Sequence, residues 1–381
     1  MNAGQVAAAD IVVAPNCMRG HASATEVAAA LVAGVRRARP AASVLARPLS
    51  DGGDGTLDVL HATRGGRLHP LDVTDVLGRP AKARWLALDR HTAVVESAGL
   101  CGLGALRPHE LRVLEASSAS VGHAIAAAVA TGATTVLVAL GGTAVTDGGA
   151  GALAALGARF LDRGGRETDP SPGRVTGAVR VDLTPARSLL SGVTVRLLAD
   201  VRTPLSDNLD TFGAQKGITA QNRPAAVRAL HHLTGLLTDA GDRGAAARFH
   251  TPWFGAGGGI GFGLSAVTNT TARSGAEALL DITDPDDTIG RADLVLTAEG
   301  AIDEGTWQGK LPGSIARLRR ERGLPTAMVA MRADEPADHP LVTTHLIDNP
   351  HPGAPLTGPA LRRGLARAAA EVCAARAVAE T

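Results

Sequence analysis

The sequence predicts an α/β protein built on mostly parallel sheets, and three observations support this prediction. Short apolar runs rich in β-branched residues alternate with segments of helical periodicity, which is typical of parallel sheets. The 381 residues have the length of two domains or of one large one. Glycine is abundant, with 46 residues, and its clusters tend to follow predicted strands. Because ligands of such sheets bind at the carboxyl ends of strands, these clusters are candidate binding loops.

Several elements can be assigned bounds from the sequence. A helix at 23–39 begins with Ser23 and Glu26 at the spacing of a capping box, and Pro40 ends it. The predicted strands are residues 10–15, 43–47, 92–96, 134–140, 193–199, 292–297 and 326–331.

The composition argues against several classes of partner. The formal net charge is +1, which leaves no electrostatic footprint for nucleic acid or for an anionic membrane. Aromatic residues make up 2% of the chain and tyrosine is absent, so base-stacking platforms are not expected. The sequence also contains no apolar stretch long enough to predict a membrane span.

The N-terminus and the cysteines indicate a cytoplasmic protein. The first ten residues lack a basic region followed by an apolar run, so no signal peptide is predicted. Cys17, Cys101 and Cys373 lie far apart and form no CxxC pair, which fits a reducing compartment.

Two glycine-rich loops follow strands in the first half of the chain. Residues 51–56 (DGGDGT) combine two carboxylates with glycines, a pattern that suits a hydrated Mg²⁺ and backbone N–H groups facing a phosphate. A capped β-to-α turn is the alternative. Residues 141–151 (GGTAVTDGGAG) have the layout of an anion-binding loop at a helix N-terminus, but not the motif of a Walker loop. Close packing of a helix on the sheet is the alternative there.

Further along the chain, single charged groups stand near strand ends. Asp200 is placed to accept a hydroxyl proton or to hold a metal, with an N-cap or an ion pair with Arg202 as the alternative. Lys216, within 212–217 (FGAQKG), is a candidate phosphate donor, and a solvated surface lysine is the alternative. The glycine cluster at 255–263 indicates backbone that closely approaches other backbone or a ligand.

Two acidic residues and a lysine come together in the sequence near residue 300. Glu299 and Asp303 follow a predicted strand, and Lys310 precedes a helix start at Pro312. Two acids and a lysine within twelve residues resemble a metal and phosphate site. A capped turn with a surface lysine is the alternative.

Taken in order, these loops resemble the motifs of the bacterial glycerate kinase family. The family pattern begins with A-P-D-S-F-K-G and D-G-G-E-G-T and continues with G-I-G-G-S-A-T-N-D-G-G-A-G and D-V-x-N-P-L. It ends with F-G-P-Q-K-G, G-A-x-G-G-L-G-F-G, and G-E-G-R-I-D followed by T-x-x-G-K. A recognisable version of all seven blocks occurs here in the same order, between Ala14 and Lys310.

This resemblance implies a kinase that transfers a phosphoryl group from ATP, with Mg²⁺, to a hydroxyl of D-glycerate, usually the 2-hydroxyl. It also implies a two-lobed α/β fold. One Rossmann-like or flavodoxin-like domain would comprise residues 1–70 and 285–381, and residues 71–284 would form an inserted α/β domain. The implied partners are ATP and a small hydroxy acid, and a homodimer is compatible with the family.

Under this resemblance, the strand-end groups take roles in phosphoryl transfer. We expect Asp200 to accept or orient the acceptor hydroxyl, and Arg19 and Lys310 to neutralise phosphate or the substrate carboxylate. Asp51 and Asp303 are the candidate Mg²⁺ ligands. The predicted nucleotide-binding residues are Gly141, Gly142, Thr143, Asp147, Gly148, Gly149 and Lys216. The predicted acceptor-binding residues are Asn16, Asp51, Gly52, Gly53, Arg202, Glu299 and Asp303.

The chain departs from the family pattern at several positions. Asn16 stands where the family has an aspartate, Arg19 where it has a lysine, and Asp54 where it has a glutamate. His123 replaces a carboxylate and Ala301 replaces an arginine. Because the glycine scaffold is kept, we expect a retuned acceptor site on a retained phosphoryl-transfer frame. The alternatives are a kinase for another small hydroxylated acid or polyol, and a catalytically silent ligand-binding protein.

Overall fold

The computed structural model describes residues 10–307, 309–348, 356 and 358–379. The chain divides into two compact units. Unit 1 comprises Met1–Asp51 and Ala276–Thr381, and unit 2 comprises Gly52–Gly275.

The bounds of the two units differ from the predicted domain bounds. Unit 2 begins at Gly52 and ends at Gly275, whereas the inserted domain was predicted at 71–284. The residues that follow Gly52 join unit 2 because α2 (Thr56–Arg64) packs on strands of that unit. The division into compact units does not test independent folding, so the predicted domain bounds stay a prediction.

Strands and helices alternate along the described chain, which confirms the predicted α/β class. The strands are β1 (Ile11–Val13), β2 (Val44–Ala46), β3 (Arg67–Thr74), β4 (Pro80–Ala87), β5 (Thr92–Glu96), β6 (Thr135–Ala139), β7 (Arg159–Leu161), β8 (Arg180–Asp182), β9 (Thr194–Ala199), β10 (Asn269–Ser274), β11 (Leu294–Ile302), β12 (Thr326–Ala333) and β13 (Val342–Leu346). The helices are α1 (Ala24–Ala38), α2 (Thr56–Arg64), α3 (Ala98–Cys101), α4 (Ala119–Ala130), α5 (Ala150–Ala155), α6 (Thr184–Leu189), α7 (Asn208–Phe212), α8 (Arg223–Asp239), α9 (Ala245–Arg248), α10 (Ala256–Leu264), α11 (Gly275–Thr283), α12 (Thr288–Arg291), α13 (Glu304–Trp307), α14 (Leu311–Glu321) and α15 (Gly358–Ala379).

Unit 1 holds a five-stranded parallel sheet in the order β13-β12-β11-β1-β2. When the strands are numbered within unit 1 alone, this is the 2-1-3-4-5 order of flavodoxin-like sheets. The strand order reverses between β1 and β11, and ligands of open α/β sheets bind beyond the carboxyl ends of the strands at such a point. The predicted Rossmann-like or flavodoxin-like fold is therefore confirmed for this sheet.

Helices cover both faces of the unit 1 sheet. On one face, Leu31 of α1 and Leu365 of α15 are fully buried in a shared core. These two helices approach closely at Gly34, where a Cβ atom would lie 2.1 Å from the carbonyl oxygen of Ala366. On the other face, Ile315 of α14 packs into a second buried cluster. The sheet is thus a rigid platform for the groups at its carboxyl edge.

The capping box predicted for the first helix is present. Ser23 Oγ accepts a hydrogen bond from Glu26 N at 3.3 Å, and the Glu26 carboxylate accepts one from Ser23 N at 3.0 Å. Both bonds satisfy N–H groups that have no partner inside the helix. This local signal explains why the start of α1 was predicted correctly.

The strand predicted at 292–297 is longer in the structure. β11 continues to Ile302, because Ile302 still pairs with Ala333 of β12. Glu299 therefore lies within β11, and the prediction that the strand ends before it was wrong.

Unit 2 holds a six-stranded mixed sheet in the order β10-β9-β6-β5-β4-β3. The strands from β10 to β5 are parallel, and β4 and β3 form an antiparallel edge. Since β5, β6 and β9 are neighbours, Glu96, Gly141 and Asp200 come to the same carboxyl edge.

The glycine cluster at 255–263 brings backbone close to backbone, as predicted. Three successive residues from Gly257 have positive φ. A Cβ atom on Gly258 would lie 2.0 Å from the carbonyl oxygen of Val145, so the close approach requires glycine there. Gly258 O also accepts a hydrogen bond from Gly148 N at 3.0 Å. The start of α10 therefore supports the loop that follows β6.

None of the described helices is both long and apolar enough to cross a bilayer.

Candidate active site

One group of predicted site residues lies at the switch point of the unit 1 sheet. Asn16 follows β1, Asp51 follows β2, and Glu299 lies in β11. Because β1 pairs with both β2 and β11, the topology brings the three to one edge. Asn16 Nδ2 donates to Asp51 Oδ2 at 2.9 Å, and Asn16 N donates to Ala298 O at 3.0 Å.

Lys310 lies beside two carboxylates at this edge. Its Nζ is 3.1 Å from Asp303 Oδ1 and 3.6 Å from Glu299 Oε1. Thr306 Oγ1 donates to Glu299 Oε2 at 3.4 Å, and Thr306 N donates to Asp303 Oδ1 at 3.2 Å. Asp51, Glu299, Asp303 and Lys310 are called the unit 1 cluster below. The structure thus assembles the two acids and the lysine that the sequence grouped together.

The pKa values of Glu299 and Lys310 are shifted from their usual values. Burial raises the pKa of Glu299 to about 7; Lys310 lowers it, and the charges of Asp51 and Asp303 raise it. For Lys310, burial alone would lower the pKa, but Glu299 and Asp303 together hold it above its usual value. Glu299 therefore changes charge near neutral pH, while Lys310 stays cationic.

We expect the wild-type protein to lose stability with rising pH relative to the Glu299→Gln variant. A raised folded-state pKa means that the folded protein holds this proton more tightly than the unfolded chain does. The resulting stabilisation is complete below the ordinary pKa of 4.5 and is lost as the pH rises through about 7. The free energy of unfolding of the wild type should fall, relative to the variant, by up to about 3 kcal/mol. Urea unfolding at several pH values, in EDTA and without nucleotide, measures this, and a pH-independent difference would contradict the assigned pKa.

The second group of predicted residues lies at the carboxyl edge of the unit 2 sheet. Asp200 follows β9, and Gly141 follows β6. A Cβ atom on Gly141 would lie 3.1 Å from Asp200 Oδ2 and 2.6 Å from Gly53 Cα, so a side chain at that position would crowd the carboxylate. Gly141 N also donates to Gly52 O at 2.9 Å. The two glycine loops therefore meet next to the Asp200 carboxylate.

Lys216 is buried, so its alternative interpretation as a solvated surface lysine is wrong. Its Nζ donates to Val145 O at 2.7 Å and to Thr143 Oγ1 at 3.4 Å. Burial lowers the pKa of Lys216 to about 8, while nearby acidic groups, Asp200 among them, oppose this shift. Its ammonium group is therefore directed at the loop that follows β6.

Asp147 fixes the loop in which it lies. Its Oδ2 accepts hydrogen bonds from Ser118 N at 2.8 Å, Ser118 Oγ at 2.7 Å and Gly151 N at 3.1 Å. Its Oδ1 accepts one from Gly149 N at 3.0 Å. Burial raises the pKa of Asp147, and these four hydrogen bonds oppose the shift. The contact with nucleotide predicted for Asp147 stays a prediction, and the structure adds this anchoring role.

Two further residues support these loops without having been predicted. Glu96 accepts hydrogen bonds from Gly55 N at 3.1 Å and Leu57 N at 2.8 Å, and so caps the start of α2. Glu96 is the last residue of β5, and Asp200 directly follows the last residue of β9. Its position at a strand end could therefore have identified Glu96 from the sequence. Ser118, which binds Asp147, gave no such signal because the two lie 29 positions apart in the chain.

Two predicted cationic residues are exposed. Arg19 lies in a turn in which Met18 N donates to Ala22 O at 2.9 Å. Arg202 lies over the ring of Trp253, with its Cζ 5.4 Å from the ring centroid, which is a cation–π contact.

The departures from the family pattern fall at different places. Asn16 touches Asp51 directly. Ala301 lies two residues after Glu299 in β11 and therefore on the same face of the strand. His123 is exposed on α4 of unit 2. Two of the three thus fall beside the unit 1 cluster.

The acidic residues of unit 1 fit Mg²⁺ only as a partial ligand set. Within residues 10–307 and the other described ranges, no group of three or more His, Cys, Asp or Glu side chains is arranged to hold a metal. Mg²⁺ at phosphoryl-transfer sites takes one or two carboxylates and completes its shell with phosphate oxygens and water. The charges of Asp51 and Asp303 both raise the pKa of Glu299, and the role of these two carboxylates as Mg²⁺ ligands stays a prediction.

Comparison with known proteins identifies the family. A model described as Glycerate kinase family matches residues 11–352. The chain belongs to the glycerate kinase family. Glycerate kinase of Bacillus subtilis (strain 168) is 32% identical over 325 residues, which are 84% of each chain. Glycerate 2-kinase of Escherichia coli (strain K12) is 32% identical over 330 residues, again 84% of each chain.

A solved structure extends the similarity to the fold. The crystal structure of a Salmonella typhimurium LT2 protein assigned as glycerate kinase 2 matches with a TM-score of 0.76 and 27% identity. The match covers 97% of this chain and 99% of that one. Membership of the glycerate kinase family confirms the predicted resemblance. It implies a phosphotransferase that uses ATP and an alcohol group as acceptor.

Proposed function

We propose that this glycerate kinase family protein transfers the γ-phosphoryl group of ATP to the 2-hydroxyl of D-glycerate. The observation that carries the proposal is the span of the family match, which includes both groups of strand-end residues. These are the unit 1 cluster and, in unit 2, Asp200 with the glycine loops beside it. Both are the kind of preorganised charge that phosphoryl transfer requires.

Asp200 is the group proposed to act on the acceptor hydroxyl. As the bond from the hydroxyl oxygen to the γ-phosphorus forms, the bond from that phosphorus to the β,γ-bridging oxygen breaks. The electron pair of the broken bond leaves with ADP, and the hydroxyl proton passes to the Asp200 carboxylate and then to solvent. Gly141 leaves room beside this carboxylate, because a Cβ atom at that position would lie 3.1 Å from Asp200 Oδ2.

The cationic side chains are proposed to neutralise anionic groups. Lys310 is held by Asp303 and Glu299, and Lys216 is held by Val145 O, so both ammonium groups are preoriented. Mg²⁺, held by Asp51 and Asp303 when bound with the nucleotide, would neutralise charge on the phosphates. Backbone N–H groups of residues 141–149 remain the predicted nucleotide contacts.

We also propose a cytoplasmic location for the enzyme. Cys17, Cys101 and Cys373 form no disulfide within the described part of the chain, which suits a reducing compartment. We include a homodimer in the proposal on the ground of the family resemblance alone.

A panel of acceptors tests the proposed function. ADP release would be measured with Mg²⁺, ATP and each of D-glycerate, L-glycerate, glycolate and glycerol. We expect kcat/KM for D-glycerate to exceed that for the other compounds by at least about tenfold, since a site that pairs a hydroxyl discriminates against analogues that lack or misplace it. If another compound is turned over preferentially, that compound replaces D-glycerate as the proposed acceptor. ATP binding without turnover of any acceptor would overturn the proposed activity.

Asn16→Asp restores the family residue and tests the contact between position 16 and Asp51. The new carboxylate would face Asp51 across the present 2.9 Å contact, so one of the two carboxyl pKa values should rise. Stability is then lost as the pH rises through that raised pKa. We expect Asn16→Asp to be destabilised by about 1–2 kcal/mol more at pH 8 than at pH 5.

Asn269→Asp, at an exposed position of β10, is the matched control and should show little pH-dependent change. Urea unfolding at the two pH values measures both variants. Equal behaviour of the two would show that position 16 does not face Asp51.

A further inference from the structure

Unit 1 contains a cavity of about 380 Å³ beside α14. Its lining includes Gly313, Arg317 and Arg320 of α14, and Glu335, Ala337, Asp338 and Val342 from the segment after β12 and from β13. The volume lies within the range of about 300–1,000 Å³ that is typical of small-molecule sites. The walls combine apolar surface with guanidinium groups, which suits a flat, polar-edged ring system.

Trp307 is one of the residues that line this cavity. The residue is 39% exposed, in a chain with only 2% aromatic residues. Its Nε1 donates to Glu335 O at 3.1 Å, so the ring is held in place although it is not buried. A fixed, half-exposed indole is a stacking surface for a nucleobase.

The other two tryptophans are engaged differently. Trp85 is buried and stacks on His69, with 4.2 Å between the ring centroids. Trp253 carries the guanidinium of Arg202 over its ring. Trp307 is therefore the tryptophan that is free of a stacked side chain among the described residues.

The cavity adjoins the start of α14 and Lys310. Gly309 lines the cavity, and Lys310 is the N-cap of α14. Gly313 and Ser314, also in the lining, lie in the first turn, where Ser314 N donates to Lys310 O at 3.0 Å. A base bound against Trp307 would therefore lie beside the segment that carries Lys310.

We propose that this cavity is the subsite for the adenine base of ATP, with the base stacked on Trp307. The inference rests on the proposed function for the presence of ATP and assigns a position to its base. It replaces the expectation, drawn from composition, that the chain has no stacking platform. A single ordered indole suffices for one base, whatever the total aromatic content.

Tryptophan fluorescence tests the proposed stacking directly. Emission would be excited selectively in indole, and ATP, adenosine and inorganic tripolyphosphate would be titrated separately. In the wild type, ATP and, at higher concentration, adenosine should quench emission, whereas tripolyphosphate should not. Trp307→Phe should lose this quenching while keeping emission from Trp85 and Trp253. The matched variant Trp253→Phe should keep it.

Two fluorescence results would overturn the inference. One is quenching by ATP that persists in Trp307→Phe and disappears in Trp253→Phe. The other is equal quenching by tripolyphosphate, which has no base.

Kinetics separate this inference from the proposed function. Trp307→Ala should raise KM for ATP by about 5- to 100-fold, the range that loss of one base–aromatic stack produces. Trp307→Phe should retain most of the affinity, and Leu189→Ala, at an equally exposed apolar position in unit 2, should leave KM unchanged. A fully active Trp307→Ala with unchanged KM for ATP would overturn the subsite and leave the kinase activity standing. A wild type that binds ATP with quenching but phosphorylates nothing would overturn the proposed function alone.

Discussion

Replacing Asp200 by asparagine is expected to lower kcat for D-glycerate phosphorylation by about 10²–10⁴-fold. The substitution keeps the size of the side chain and its place between the glycine loops, but the amide cannot take up the hydroxyl proton. Since Asp200 is proposed to act on the acceptor and not on the nucleotide, KM for ATP should change little. Steady-state kinetics with ADP detection measure both constants.

Asp210→Asn provides the matched control for this substitution. Asp210 is an exposed carboxylate that pairs with Arg223, with Oδ1 2.5 Å from Nη2, and it takes no part in the proposed mechanism. We expect this variant to keep kcat within about twofold, since exposed ion pairs contribute little. A loss of activity in Asp200→Asn no larger than in Asp210→Asn would remove Asp200 from the mechanism.

Removing the Asp147 carboxylate is expected to cause the largest loss of stability. In Asp147→Ala, the backbone N–H groups of Ser118, Gly149 and Gly151 lose their buried acceptor. Each buried donor without a partner costs about 1–3 kcal/mol, so the free energy of unfolding should fall by about 3–5 kcal/mol. Because whole domains are stable by only about 5–15 kcal/mol, chemical denaturation should show a large shift of the midpoint.

Asp162→Ala is the control that distinguishes the effect of burial from the effect of the number of hydrogen bonds that a carboxylate accepts. Asp162 Oδ1 also accepts two backbone hydrogen bonds, from Gly164 N at 2.8 Å and Arg166 N at 2.9 Å. Its side chain is 37% exposed, so water can replace the lost acceptor and the loss of stability should be much smaller than in Asp147→Ala. Similar losses in Asp147→Ala and Asp162→Ala would show that Asp147 does not anchor its loop.

The fold was predictable where the signals are local. Alternation of apolar strands with amphipathic helices indicates the parallel sheets, and the capping box at Ser23 sets the start of α1. The end of β11 was not predictable, because it depends on the pairing of Ile302 with Ala333, which lie 31 positions apart in the chain. Strand length is decided by the neighbouring strand, which a pattern along one segment does not reveal.

The candidate site was predictable from strand ends and glycines. Asp51, Glu299 and Asp200 were identified because charged residues at such positions converge on one edge of each sheet. The burial of Lys216 was not predictable, since its partners are the Val145 carbonyl and Thr143 in a distant segment. Lysine is seldom buried, so a surface position was the natural expectation.

The structure shows what the residues that depart from the family pattern contact. Asn16 donates to Asp51, which an aspartate at that position would do only when protonated. Ala301 lies on the face of β11 that carries Glu299, so this face lacks the arginine of the family motif. Both changes alter the charge beside the unit 1 cluster, which supports a retuned acceptor site.

The most direct test of the central claim is detection of the phosphorylated product by mass spectrometry. Wild-type protein and Asp200→Asn would each be incubated with ATP, Mg²⁺ and D-glycerate. We expect 2-phosphoglycerate and ADP in equal amounts with the wild type, and a product yield at least about a hundredfold lower with the variant. Absence of phosphoglycerate from the wild-type reaction, with ATP binding still measurable, would contradict this claim.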